Sequence, residues 1–172
     1  DYAKSARKYK SLQKDSATQN LLEAWEASSY NTLYSNAESK ITPFNPNANL
    51  KITTMTLGDL KTFTETSGKY GKWVKPRLKP GGYAYKMGYT STPLGKYQIV
   101  GSTLKKLIES GGWDLNTLFN ERTQDQLFLQ LVEQEFERAK TPDKKRAALR
   151  DQWEGFSDEK KVTDAMLDSL IL

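Results

Sequence analysis

Apolar residues recur at helical spacing along much of the chain, and no apolar run approaches the length of a membrane span. Leu21, Leu22 and Trp25 share one face of a segment running Ser16–Ala27, with Ser28-Ser29 as its stop. Thr56-Leu57-Gly58-Asp59 has the form of a capping box and predicts a short helix from Leu57 to about Thr66. Ser102 or Thr103 can cap a helix that ends at Gly111-Gly112, and Asn120 can cap the next. From Glu121 to Ala139 the residues Leu127, Phe128, Leu131, Val132 and Phe136 form one stripe, which marks the expected core helix. Gln124 and Asp125 fall in its first turn, where an acid suits the positive helix end. Thr141-Pro142-Asp143 opens a further helix carrying Ala147, Ala148, Leu149 and Trp153, and Gly155-Phe156-Ser157 breaks it. Asp158-Glu159 then opens a final helix with Val162, Ala165, Met166 and Leu170.

Between the helices the composition changes. Asp1–Asp15 holds Lys4, Arg7, Lys8, Lys10 and Lys14 with few large apolar residues, and reads as a basic arm or linker, residues 1–15. Residues 16–172 are then one domain, mainly α, a helical bundle around a core helix with a small β/loop lip. Tyr30–Asn49 is rich in Asn, Ser, Thr and Pro, a loop composition in which Ile41, and Ile52 just beyond, could be short strand pieces. Gly68–Gly95 reads as a long irregular loop holding Tyr70, Trp73, Tyr83, Tyr85 and Tyr89. Those aromatics are either a platform on which sugar rings stack or a satellite cluster that pins the loop. In Ser91-Thr92-Pro93-Leu94-Gly95-Lys96-Tyr97-Gln98-Ile99, Pro93 and Gly95 mark a turn. Tyr97 and Gln98, a phenol and an amide flanked by apolar Leu94 and Ile99, are groups of the kind that line sugar clefts.

Composition restricts the chemistry. The 172 residues contain no cysteine and no histidine, which removes thiolate chemistry, the usual serine and cysteine triads and most transition-metal sites. No cofactor or metal is expected, and acid–base work near neutral pH falls to carboxylates, lysines or tyrosines. A net charge of +5 suits a polyanionic partner, such as nucleic acid or a bacterial envelope with acidic polymers. No basic block interleaved with aromatics stands out, so the envelope is favoured and no nucleic-acid partner is expected. No signal peptide is visible, and a first residue of Asp1 suits a processed component of a larger chain.

Glu26 is the carboxylate with the most suggestive context. In the last turn of the Ser16–Ala27 segment it faces the negative end of the helix dipole, which disfavours its charged form. Partial burial acts in the same direction, and a carboxyl held protonated is what a general acid on a glycosidic oxygen requires. On the residues alone, a surface glutamate at a frayed helix end is the competing reading. Glu23, three positions back, is the competing acid; the spacing to Tyr30-Asn31 favours Glu26. Asp59 is accounted for by capping.

The ordered set of motifs resembles the phage lambda-type endolysins and related lysozyme-like muramidases. It comprises Trp25-Glu26-Ala27-Ser28-Ser29-Tyr30-Asn31-Thr32-Leu33, then Ile52-Thr53-Thr54-Met55-Thr56-Leu57-Gly58-Asp59-Leu60. Gly95-Lys96-Tyr97-Gln98-Ile99, Ser102-Thr103-Leu104 and Thr123-Gln124-Asp125-Gln126-Leu127 follow. The resemblance runs from about Asn20 to Phe156, with Ala27 standing where the family commonly has glycine or serine. It implies an α+β lysozyme-like fold whose cleft binds the glycan strands of bacterial peptidoglycan, cut between N-acetylmuramic acid and N-acetylglucosamine. It makes Glu26 the catalytic acid, and carries over Tyr30, Asn31, Tyr97, Gln98 and Thr103 as substrate-binding residues. Lambda-type enzymes are lytic transglycosylases with one carboxyl acting as acid and then base, whereas a hydrolytic muramidase needs a second carboxylate. A non-catalytic wall-binding relative is the third possibility. The resemblance also implies a place in a phage lysis or tail and injection apparatus, in the virion with other tail proteins or released to the periplasm and cell wall.

Overall fold

The computed structural model describes residues 29–41, 50–78, 80–81, 91–152, 156 and 158–171. The chain is mainly helical, with one small two-stranded sheet among the described residues. It divides into two compact units, Ser28–Gln124 and Asp125–Leu172 with Asp1–Ala27. The basic arm and the Ser16–Ala27 segment, Glu23 and Glu26 included, lie outside the described residues, as do Tyr83, Tyr85, Tyr89 and Trp153.

In the first unit a 3-10 helix spans Tyr34–Ser39 and another Ile52–Thr54. Helix α1 is Leu57–Phe63, α2 is Lys69–Val74, and a 3-10 turn Lys75–Arg77 continues it. Strands β1 (Pro93–Leu94) and β2 (Ile99–Val100) form an antiparallel hairpin with Pro93 opposite Val100 and Leu94 opposite Ile99. Helix α3 follows at once as Gly101–Gly111 and stops at Gly112, whose φ of 64° is the left-handed conformation glycine adopts without strain. Helix α4 is Glu121–Arg138, and Gln124 in its first turn is the last residue of this unit.

The expected capping box is present: Asp59 N–H donates to Thr56 Oγ1, and Thr56 N–H donates to Asp59 Oδ2, both at 3.1 Å. Two more N–H groups at the same helix end, of Leu57 and Gly58, donate to the carbonyls of Thr117 and Leu115 at 2.9 Å. The segment after Trp113 therefore satisfies donors that a helix start leaves without intrahelical partners. Asn120 caps α4 as expected, its Oδ1 accepting from Thr123 N–H at 3.0 Å.

Several boundaries differ from the sequence reading. Ile41 and Ile52 are not strand pieces. Ile41 N–H closes a helical turn on Ala37 O at 2.8 Å, and Ile52 opens its own 3-10 turn. Residues 69–77 are helical and not loop, because Gly71 is a packing glycine: an added Cβ would strike the Glu65 carbonyl. Tyr70 is accordingly core, fully buried and stacked on Phe63 with ring centroids 5.3 Å apart. Helix α1 ends at Phe63, with Thr64 turning its hydroxyl back onto Leu60 O. Helix α3 starts at Gly101 with Val100 as N-cap, so Ser102 and Thr103 lie within the first turn and are not caps.

In the second unit α4 is buried on every side from Gln126 to Val132, while Phe136 is half-buried. Helix α5 is Pro142–Gln152 and α6 is Asp164–Ile171. Asp158 does not open the last helix: its carboxylate accepts from Lys160 and Lys161 N–H in a turn, and Thr163 precedes the helix proper. Apolar Leu149, Phe156, Val162, Leu167 and Leu170 are all buried. Each such side chain contributes about 1.5–3 kcal/mol. Two arginines of α5 clasp the acids of α6. Arg146 donates to Asp168 Oδ1 at 2.5 Å, and Arg150 donates to Asp164 Oδ1 at 2.7 Å and to the carbonyls of Phe156 and Val162.

The hydrogen bond from Arg150, with the nearby charge of Arg146, lowers the Asp164 carboxyl below its ordinary range against a smaller opposing effect of desolvation. A carboxylate whose folded value is depressed stabilises the fold above its unfolded value and loses that contribution as pH falls through the folded one. Thermal unfolding should therefore show wild type above Asp164→Asn at neutral pH. The two midpoints should converge once the pH is below the carboxylate range.

Candidate functional site

The four-residue turn Gly95–Gln98 joins β1 to β2 and carries the Tyr-Gln pair. Gly95 has φ 72°, and a Cβ there would run into the side-chain amide of Gln124, so the position requires glycine twice over. Gln98 has φ 50°, the one positive-φ residue other than glycine among those described. For an L-residue that conformation costs about 1–2 kcal/mol. It is held because the Gln98 amide donates to Gly95 O at 2.6 Å and to Thr32 O at 3.2 Å, across 66 residues of chain. Strained backbone of this kind persists only where its surroundings over-determine it.

Gln124 is the other half of the arrangement. Its side chain is 1% exposed, yet three of its hydrogen-bonding positions are filled. Its Nε2 donates to Tyr30 O at 2.9 Å and to Phe119 O at 3.0 Å, while its Oε1 accepts from Lys96 N–H at 3.1 Å. One amide thus ties the 30–33 segment, the 95–98 turn and the start of α4 together. Gly95 N–H adds a bond to Thr32 O at 2.8 Å, and Leu33 bridges Leu94 in antiparallel register.

Tyr30, Asn31 and Tyr97 adjoin this cluster. Asn31 Oδ1 accepts from Thr53 N–H at 3.0 Å, binding the segment to the 3-10 turn before α1. Lys96 Nζ lies 5.0 Å from the Tyr30 ring centroid, a cation–π pair with both residues half-buried. Tyr97 is 1% exposed, so its ring belongs to the core beneath the turn. Thr103 is half-buried in the first turn of α3. Tyr30, Asn31, Tyr97 and Gln98 are therefore brought to one place, while Glu26, three positions before Ser29, lies outside the described residues.

Tyr70 supports the hairpin from below. Its hydroxyl donates to Pro93 O at 2.7 Å and accepts from Tyr34 N–H at 2.8 Å. Burial, with lesser help from the nearby Glu38 charge, pushes its pKa far above the usual phenol range, so the proton stays in place as donor. The Glu38 carboxylate accepts from Leu33 N–H at 3.0 Å. Glu65 is exposed, and Asp59 is held in its capping box.

Sequence reasoning placed Gln124 in the first turn of its helix but gave it no part in the site. A large amide one turn after an Asn cap, in the Thr-Gln-Asp-Gln run that carries the resemblance, was the available signal. Tyr70 was read as a loop aromatic and not as the hairpin's support, and Thr32 was missed because it acts through its carbonyl.

Among the described residues no group of three or more acids is placed to hold a metal ion, and no helix is long and apolar enough to cross a membrane. Compared with protein-family models, curated proteins and solved structures, the chain matches none.

Gln124→Ala would remove one hydrogen bond each from the carbonyls of Tyr30 and Phe119 and from the Lys96 N–H. Each bond so lost costs about 1 kcal/mol. Urea unfolding should show a loss of about 3 kcal/mol for Gln124→Ala, well above the effect of Gln152→Ala at an exposed position of α5.

Proposed function

We propose that the chain cleaves the glycan strands of bacterial peptidoglycan between N-acetylmuramic acid and N-acetylglucosamine, with Glu26 as the general acid and then base. The observation that carries this reading is the convergence of the Tyr30–Leu33, Gly95–Ile99 and Thr123–Gln124 segments. They are separate stretches of the lysozyme-like pattern, hydrogen-bonded to one another here over sequence separations of up to 94 residues.

In this mechanism the Glu26 carboxyl gives its proton to the glycosidic oxygen as the bond from the muramic C1 to that oxygen breaks, freeing the N-acetylglucosamine hydroxyl. The muramic 6-hydroxyl then attacks C1 and yields its proton to the Glu26 carboxylate. A 1,6-anhydro ring closes, and the acid is regenerated. Among the described residues, the places of Glu38, Asp59 and Glu65 favour this one-carboxyl route over hydrolysis. Glu38 is bonded to Leu33 N–H, Asp59 serves its own capping box, and Glu65 is exposed beyond the end of α1. A hydrolase would need a second carboxylate about 5 Å from the first as nucleophile, or farther off to activate water. The anchored amide of Gln98 and the Tyr30–Lys96 pair supply a rigid polar edge and a cationic one, suited to hydroxyl and acetamido groups and to the lactyl carboxylate. Such an enzyme works at the cell wall, as part of a phage lysis or tail and injection apparatus.

Mass spectrometry of purified peptidoglycan digested with the wild-type chain should show muropeptides ending in anhydro-muramic acid, each lighter by one water than the hydrolysed form. Glu26→Gln should lower their yield by about 100-fold or more, the usual scale for an acid–base group, with its thermal midpoint unchanged. Reducing ends would make it a hydrolase with a second carboxylate. An intact glycan with both proteins would overturn the enzyme reading.

A further inference from the structure

The segment Lys69–Arg77 reads Lys-Tyr-Gly-Lys-Trp-Val-Lys-Pro-Arg, four cations in nine residues with no acid between them. Its helical form sorts these residues. Tyr70, Gly71 and Val74 are buried, which turns Lys69, Lys72 and Trp73 to the opposite side. Lys69, Lys72, Lys75 and Arg77 are all exposed, and Trp73 is half-buried.

Trp73 gathers the charge. The Arg77 guanidinium lies 4.0 Å from its ring centroid, and Lys40, at the end of the Tyr34–Ser39 turn, places Nζ 5.9 Å from the same ring. Arg77 Nη1 also donates to Trp73 O at 2.6 Å. The guanidinium is thereby held over the indole with one of the five N–H donors of arginine used on a helix-end carbonyl. Among the described residues no ion pair joins a carboxylate to Lys72, Lys75 or Arg77. A solvated charge run would not need its arginine locked on a tryptophan. An arginine held over a ring beside the exposed ammonium groups of Lys72 and Lys75 is an arrangement suited to phosphate.

We propose that this face, Lys72, Lys75 and Arg77 around Trp73 with Lys40 beside them, binds the phosphates of a flexible wall polymer built of polyol or sugar phosphodiesters. Single-stranded nucleic acid shares the phosphate chemistry, but its sequence-tolerant binding depends on aromatic rings open to bases. Among the described residues of this face, the ring of Trp73 already carries Arg77 and Lys40. Each phosphate neutralised on a flexible chain releases counterions, so binding weakens with salt at a slope of about 0.7 per contact in log–log form. The proposal does not depend on Glu26, and Glu26→Gln should bind as wild type does.

The test is titration of the chain with poly(glycerol phosphate), with oligo-thymidine at equal phosphate concentration and with vesicles of anionic lipid, across a series of salt concentrations. Binding to poly(glycerol phosphate) at least as tight as to oligo-thymidine is expected. The triple change Lys72→Gln, Lys75→Gln and Arg77→Gln should flatten the salt slope by about 2, three contacts' worth, with an unaltered thermal midpoint. Arg77→Lys, which keeps the charge and loses the planar fork, should weaken binding while leaving the slope in place. The proposal is overturned if poly(glycerol phosphate) is not bound at low salt, or if only the thymidine chain or only vesicles bind. A triple variant that keeps the wild-type slope, or Arg77→Lys binding as wild type, overturns it too.

Discussion

The first unit depends on one buried amide. Gln124 is uncharged, 1% exposed, and bonded at once to the backbone of Tyr30, Lys96 and Phe119. A buried polar side chain is costly without partners and rigidifying with them, because the low local dielectric strengthens every bond it makes. The consequences spread outward. Gly95 must be glycine because the amide stands where a side chain would go. With Gly95 in the left-handed region, the turn leaves Gln98 at positive φ, and the strain there is held by a second amide bonded to Thr32 O. Tyr70 and Glu38 brace the same strands from the other side through Pro93, Tyr34 and Leu33.

That arrangement gives the proposed activity its physical sense. Catalysis by positioning needs groups fixed to within a fraction of an ångström, and loops alone rarely achieve it. Here Tyr30, Asn31 and Gln98 sit on segments tied by side-chain-to-backbone hydrogen bonds to elements far away in sequence. The cationic face around Trp73 lies on α2 and the turn after it, built from residues that the hairpin does not use. The proposed cleavage, by Glu26, and the proposed retention, by the face around Trp73, rest on different residues and can be separated by substitution.

Much of this was legible from the sequence where a local rule applies. The Thr56 capping box, the Asn120 cap, the Gly112 stop and the α4 stripe each depend on a few neighbouring residues. What stayed hidden depends on distant partners. Lys69–Arg77 reads as loop because glycine and proline punctuate it, yet Gly71 is there for close packing on the Glu65 carbonyl. Tyr97 looks like a cleft residue beside Gln98, and only the structure shows its ring to be core. The start of α6 at Asp164 follows from Asp158 closing a turn of its own and from the Arg146 and Arg150 clasp, neither of which periodicity can express. Of the candidate site, Tyr30, Asn31, Tyr97 and Gln98 adjoin one another in the structure, while the amide that holds them did not announce itself.

The most direct test is a double-mutant cycle in urea between Gln124→Ala and Gln98→Ala, the two amides that hold the 30–32 backbone from opposite ends. If they act as one unit, the second substitution costs less once the first is made, with a coupling of about 1 kcal/mol or more. Losses that add to within about 0.5 kcal/mol would mean that the turn and the helix start are anchored independently, and that Gln124 is not the constraint on which the site depends.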